Sequence, residues 1–235
     1  MTPTPRRLLL IETSHQPGLV GLALGDRVVA HRHLESGRHN ARDLAPAIAA
    51  LLAEQGWSPR DLSGVAVGRG PGSYTGLRVG LMSAKTMAYV VGCPLVAIDS
   101  FAVIADQSPA ACRRIDIISD AQKEAVYVQG FVRDGEHWKA SDELRVVGFA
   151  DWLAGRVPDA WVGGPGVVRY RDRLPADVPL AAPECWSPGL GSLLALAVRR
   201  LDAGERDDAF GLEPLYLRAS SAELQWRDRI GRTAT

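Results

Sequence analysis

The sequence predicts an α/β protein of two similar lobes, each built on a mixed β-sheet. Three observations point there. Residues 8–11, 19–24 and 28–34 read as strands separated by Pro17-Gly18 and Gly25-Asp26, the pattern of an antiparallel meander. A helix, strand, helix, strand order follows, which implies parallel pairing beside the meander. The plan then starts again. Arg6-Arg7, the run 8–11, a polar turn, the strand 19–24 and Gly25-Asp26 are echoed by Arg113-Arg114, the run 115–118, a polar turn, the strand 125–132 and Asp134-Gly135.

The elements follow in order. Leu44, Ala47, Ile48, Leu51 and Leu52 fall on one face at helical spacing. Asn40 is placed to cap that helix, with Asp43 three residues on, and Gly56 to stop it. Pro46 lacks the N–H that would bond Arg42 and should kink the helix. Residues 65–67 read as a buried strand, 75–91 as a long helix, 95–98 as a strand and 101–105 as a further helix. In the second half, 145–147, 161–162 and Leu180 read as later strands, while 131–188 as a whole has no pattern that fixes a topology. Leu193, Leu194, Ala197, Val198 and Leu201 give a helix over 190–201, opened by Ser187 or Gly189 and ended by Gly204. The division expected is 1–110 for lobe I, 111–218 for a smaller lobe II, and 219–235 for a polar tail that frays or docks on the surface. The helix within 188–203 is free to pack back on lobe I. Two halves of this kind are what the actin-like (ASKHA, ribonuclease H-like) fold requires.

Composition narrows the function. The 27 basic residues balance the 27 acidic ones, which argues against a strong stand-alone nucleic-acid binder. Cys93, Cys112 and Cys185 are far apart and form no CxxC pair, so neither a zinc site nor a disulfide framework is indicated. The apolar run at 8–11 is too short for a signal peptide or a membrane span. A soluble, cytoplasmic protein is expected.

The most informative string is GRGPGSYTGLRVG, residues 68–80. A glycine-rich turn between a strand and a helix can gather backbone N–H groups around an anion, usually a phosphate. The generic nucleotide motifs fail here. There is no Gly-Lys-Ser/Thr, Gly68, Gly70 and Gly72 do not fit GxGxxG, and Tyr74 stands where a nucleophile elbow needs serine. A tight structural turn is the competing reading. Ser73 and Thr75 are hydroxyl candidates in the loop, better placed to cap the following helix than to act as nucleophiles.

The whole string resembles the hallmark loop of the TsaB (YeaZ) family, bacterial subunits of the machinery that makes threonylcarbamoyladenosine in tRNA. The resemblance continues in Leu8-Leu9-Leu10-Ile11-Glu12-Thr13-Ser14, in 39–52, in Lys85 and Gly92-Cys93-Pro94-Leu95-Val96, in Asp120-Ala121 with Val126-Tyr127, and in Pro214-Leu215-Tyr216-Leu217-Arg218. It is dense through Ser100 and thin from 131 to 213. It implies the same actin-like fold. An ATPase of that fold holds magnesium, through water, with an acidic residue on the first hairpin of each half; Glu12 and Asp120 are the candidates here. The family usually has Asp at the position of Glu12, and the extra methylene shifts a metal site. The competing reading is that both carboxylates satisfy local backbone donors. Thr13, Ser14 and His15 could line the turn. Gly163 and Gly164, in Gly163-Gly164-Pro165-Gly166, resemble a turn that packs on adenine in such ATPases, although Gly-Pro clusters are most often only loops. The nucleotide-loop candidates are therefore Glu12, Thr13, Gly70, Gly72, Ser73, Thr75, Asp120, Gly163 and Gly164.

The catalytic relative, TsaD, carries two histidines four residues apart on one helix face, as a metal needs. Ser100 and Ile104 stand at those positions here. None of His15, His31, His33, His39 and His137 forms an equivalent pair. His31 and His33 share one side of a strand and read as a solvated edge, and His39 as a helix-entry residue. No catalytic residue and no metal site are expected.

Gly76, Gly80, Ala84 and Ala88 recur every four residues, a ridge that another helix could approach closely. Packing on the protein's own sheet is the competing account. The resemblance implies that this region and the first helix form a subunit interface, giving Leu44, Ile48, Gly76, Leu77, Gly80, Leu81, Ala84 and Ala88 as interface residues, with Arg42, Arg78 and Tyr89 at the rim. The implied function is a non-catalytic scaffold that pairs with a TsaD-type subunit, alongside a TsaE-type ATPase, and meets tRNA through the complex. A homodimer is the alternative assembly. No cofactor is required, and ATP or ADP binding would be weak. The alternative function is a free-standing, degenerate actin-like ATP-binding enzyme.

Overall fold

The computed structural model describes residues 5–34 and 40–217. The expectations for His39, for the Asn40 side chain as a cap, and for the tail 219–235 lie outside the described residues. In lobe I the elements run β1 (Arg7–Glu12), β2 (Leu19–Leu24), β3 (Arg27–His33), α1 (Asn40–Glu54), β4 (Gly64–Gly68), α2 (Tyr74–Val91), β5 (Leu95–Ile98) and α3 (Ser100–Asp106). The sheet order is β3-β2-β1-β4-β5. The meander is antiparallel, while β4 and β5 join in parallel. Helix α1 runs on through Pro46. Gly56, at φ +64°, turns the chain after α1.

Lobe II repeats this plan with β6 (Arg114–Asp120), β7 (Ala125–Asp134), β8 (His137–Ala140), β9 (Arg145–Gly148), α4 (Phe149–Gly155), β10 (Trp161–Gly163) and α5 (Gly166–Tyr170). Its sheet order is β10-β6-β7-β8, and β9 also pairs with β7. Strand β10 lies parallel to β6, as β4 lies parallel to β1. Leu180, expected in a strand, makes only an isolated bridge to Val162. Strand β8 and helices α4 and α5 were not legible, being short and half exposed.

Four apolar clusters hold the chain. One face of the first sheet (Leu9, Ile11, Val65, Val67) packs under α1 and α2. The other (Leu8, Leu10, Ala66, Val96) packs on α6 (Leu190–Asp202), so a helix that follows lobe II in sequence covers lobe I. In lobe II, Ile118, Val126 and Val128 pack on α4 and α5. Ile115, Ile117 and Phe131, on the opposite face, meet Phe101, Ile104 and Ala105 of α3, which joins the lobes. The alternation of 115 and 117 against 118 follows from the two-residue period of a strand.

After α6 the chain crosses to α2 as a strap. Asp207 N–H bonds the Leu95 carbonyl, and Asp207 Oδ2 accepts the Ala97 N–H at 2.7 Å. Arg200 donates to the Ala97 carbonyl at 2.7 Å. These groups satisfy the outer edge of β5, which would otherwise be open to pairing. Lys85 Nζ donates to the carbonyls of Phe210 and Leu212, and Tyr216 lies on Tyr74 with ring centroids 4.9 Å apart.

Two substitutions in α6 test this packing by urea denaturation. Leu193 is fully buried against the first sheet, and Leu193→Ala should cost about 2–5 kcal/mol. Gly191 has open space around its Cβ position, and Gly191→Ala should leave stability unchanged or raise it by up to about 1 kcal/mol.

Candidate functional site

The glycine loop meets the turn that follows β1. Each glycine at the fourth place, Gly68, Gly72, Gly76 and Gly80, touches that turn. A Cβ at Gly72 would sit 2.2 Å from the Ser14 carbonyl oxygen, and one at Gly76 would sit 2.1 Å from the Thr13 carbonyl oxygen. At Gly80 it would meet Thr13 Oγ1 at 2.1 Å, and at Gly68 the Glu12 carboxyl at 1.9 Å. The hydrogen bonds run the same way. Ser73 N–H bonds the Ser14 carbonyl at 2.7 Å, and Thr13 Oγ1 donates to the Gly76 carbonyl at 2.8 Å. Ser73 caps α2 by accepting the Gly76 N–H; Thr75 is an exposed residue of the first turn and does not cap. Gly68, Gly72, Gly76, Gly80 and the Ser73 N–H are thus joined to the β1 turn. Close backbone approach accounts for Gly72, whereas Gly70, at φ +103°, packs on the Leu77 side chain and Thr75 stays exposed.

The two carboxylates expected at a metal are also engaged locally. Glu12 is buried at 2% exposure, accepting the Ser14 N–H at 2.7 Å and the Ser100 hydroxyl at 2.9 Å. Burial pushes its pKa up, against the lowering effect of the Ser14 and Ser100 hydrogen bonds. Asp120 accepts the Gln122 N–H at 2.9 Å and pairs with Arg169 at 3.0 Å. Among the described residues no group of three or more His, Cys, Asp or Glu is placed to hold a metal ion. Ser100 serves Glu12, and Ile104 lies in the seam between the lobes. His31 and His33 are exposed on β3, their ring centroids 6.1 Å apart. Gly163 and Gly164 pack on β6: a Cβ at Gly164 would lie 2.4 Å from the Ile118 carbonyl oxygen.

The small-residue ridge points inward. Gly76, Leu77, Gly80, Leu81, Ala84 and Ala88 form the buried face of α2 against the protein's own β1 turn and sheet, and Leu44 and Ile48 of α1 are buried in the same region. These eight residues cannot be a docking surface without taking the core apart. The solvent face of α2 is a different set. Met82, Tyr89 and Val90 are 59%, 68% and 74% exposed, and Phe210 of the strap lies edge-on to Tyr89 at 5.5 Å. Arg78 lies over the Tyr74 ring at 4.6 Å. Of the expected rim residues, Arg78 and Tyr89 fall on this open face. Between the end of α2 and the strap, Cys93, Pro94 and Arg206 line a shallow groove with Tyr89.

The pairing of His15, expected only to line the turn, with Ser119 escaped the sequence reading. His15, partly buried, stands between Ser14 Oγ at 2.8 Å and Ser119 Oγ of β6 at 3.4 Å. Nothing in the linear sequence pairs residues 15 and 119; only the parallel roles of β1 and β6 in the two halves hint at it. Burial pushes the imidazole pKa down to about 4.

Two predictions follow from this geometry. Gly76→Ala drives a methyl into backbone and should cost about 3 kcal/mol or more by chemical denaturation. For His15, the unfolded chain takes up a proton near pH 6.5 while the folded chain resists until about pH 4. Its contribution is therefore complete above pH 6.5 and falls away toward pH 4. Up to about 3 kcal/mol should separate the two ends of that window. His15→Gln removes this slope. The raised pKa values of Glu12 and Asp116 act in the opposite sense, but they are common to both proteins. The stability advantage of the wild type over the variant should accordingly shrink between pH 7 and pH 4.5.

Comparison with known proteins gives a consistent result. Residues 33–165 match the family described as TsaD: tRNA N6-adenosine threonylcarbamoyltransferase. The Bacillus subtilis tRNA threonylcarbamoyladenosine biosynthesis protein TsaB is 28% identical, the alignment covering 93% of this chain and 97% of that protein. An uncharacterized protein of Mycobacterium tuberculosis is 30% identical, over 86% of this chain and 83% of its own. A crystal structure from Pseudomonas aeruginosa, described as similar to peptidase YEAZ, superposes with a TM-score of 0.77 at 26% identity, covering 91% of this chain and all of that one. The inward glycine face, the doubled lobes and these likenesses agree: this chain belongs to the TsaD-type family and, within it, to the TsaB (YeaZ) group.

Proposed function

We propose that this chain is the docking subunit of the machinery that adds a threonylcarbamoyl group to adenosine at position 37 of ANN-decoding tRNAs, with a TsaD-type partner carrying the chemistry. The observation that carries this reading is the open face of α2 beside the strap. Met82, Tyr89 and Val90 expose apolar and aromatic surface along α2, with the exposed Phe210 ring against Tyr89, the composition expected of a protein interface. The relationship to TsaB proteins supplies the pathway. The local engagement of Glu12 and Asp120 supports a chain without its own catalytic centre or cofactor over a free-standing ATP-binding enzyme. A TsaE-type ATPase joins the complex, tRNA is met through it, and the site of action is the cytoplasm. Among the described residues no helix is long and apolar enough to cross a membrane.

The test is mass by light scattering during gel filtration of this chain mixed with the TsaD-type subunit of the same organism. A one-to-one complex is expected. Tyr89→Asp should weaken it about 30-fold, the effect of losing an interface anchor, while leaving the fold intact because Tyr89 is exposed. Two independent peaks under all nucleotide conditions would sink the reading.

A further inference from the structure

We infer that Glu12, Ser14, His15 and Ser119 form a polar latch that ties the strand ends of the two lobes together. The apolar seam at α3 already joins the lobes, with Phe101 and Ile104 against Ile115 and Ile117. The latch is a separate connection, between the turn after β1 and the last residues of β6.

Its parts fit one another. Ser14 and Ser119 are buried, at 0% and 6% exposure. Buried hydroxyls need partners, and losing one leaves an orphaned polar group. The imidazole offers a nitrogen to each, Nδ1 to Ser14 Oγ at 2.8 Å and Nε2 to Ser119 Oγ at 3.4 Å. A neutral imidazole has one donor and one acceptor, and a hydroxyl can play either part, so both links can be made at once. A protonated ring has two donors and also carries a charge; the depressed pKa keeps it neutral through the physiological range. The histidine is itself aimed from below. Glu12 accepts the Ser14 N–H at 2.7 Å and is held by the Ser100 hydroxyl of α3 at 2.9 Å. Glu12 is thus a positioning residue for the turn that carries the latch.

The consequence is a second tie between the lobes beside the apolar seam at α3. The β6–β7 turn that follows Ser119 is held by its own bonds as well, with Asp120 accepting the Gln122 N–H and Glu124 paired to Arg173, and the latch adds a tie from the opposite lobe. That turn holds Gln122, Lys123 and Glu124 at φ +61°, +50° and +57°. Such residues keep a left-handed conformation only where their surroundings impose it.

Hydrogen exchange on the full-length chain, read by mass spectrometry, tests the latch through its reach across the lobes. In His15→Ala, amides of 119–125 in the opposite lobe should exchange about tenfold faster, and in Ser119→Ala those of 13–18 should do so, the effect of orphaning one buried hydroxyl or ring nitrogen. Ser119→Ala removes a single oxygen and keeps the test available if the histidine variant folds poorly. His15→Phe fills the ring's volume without its nitrogens and should match His15→Ala. Acceleration confined to the mutated turn, or full protection in His15→Phe, would overturn the latch, the latter by showing that packing alone suffices.

Discussion

The structure depends on one close approach. A strand-end turn, Glu12-Thr13-Ser14, lies directly on a helix entry, with carbonyl oxygens where side chains would begin at Gly72 and Gly76 and the Thr13 hydroxyl at Gly80. Because the contact at Gly72 and Gly76 is backbone on backbone, it fixes α2 on the sheet with little tolerance. It also determines which face of α2 is left over. The small residues face inward, so the larger ones, Met82, Tyr89 and Val90, face out. The covered and open faces of the helix are two results of one contact.

The same device is used in lobe II in reduced form. Gly164 and Gly166 rest on Ile118 near the end of β6, as Gly72 and Gly76 rest on Ser14 and Thr13 beyond β1. The helix that follows has five residues where α2 has eighteen, so lobe II has no long outer face to offer. The two lobes are alike in how a glycine turn seats on the first strand and unlike in what the seat supports.

Much of lobe I was legible because its signals are local and strong. The strands at Leu8 and Val65 are continuous apolar runs, and Ser73 and Gly92 mark the ends of α2 as their chemistry predicts. Strand β8, with His137 and Lys139 exposed, and the five-residue α5 carry too little periodicity to read. The site was harder still. A four-residue repeat of small side chains says that something comes close, but it cannot say whether that is another chain or the residues sixty positions earlier. Glu12 looked like a cleft carboxylate because its place in the strand-turn pattern is right; only its bonds to Ser14 and Ser100 show that it turns inward. His15 and Ser119 are paired by the superposition of two halves, which no window of sequence contains.

The glycine ladder has a consequence for how such a string should be interpreted. Every coding change at Gly72 or Gly76 adds at least a Cβ, and each position lacks room for one whatever the chain does for a living. Those two glycines are therefore required by architecture, whatever else the loop does. Two descendants of one ancestor, one active and one stripped of its chemistry, would keep them equally well. A search keyed to these two glycines recovers lineage and scaffold, whether or not a reaction takes place there.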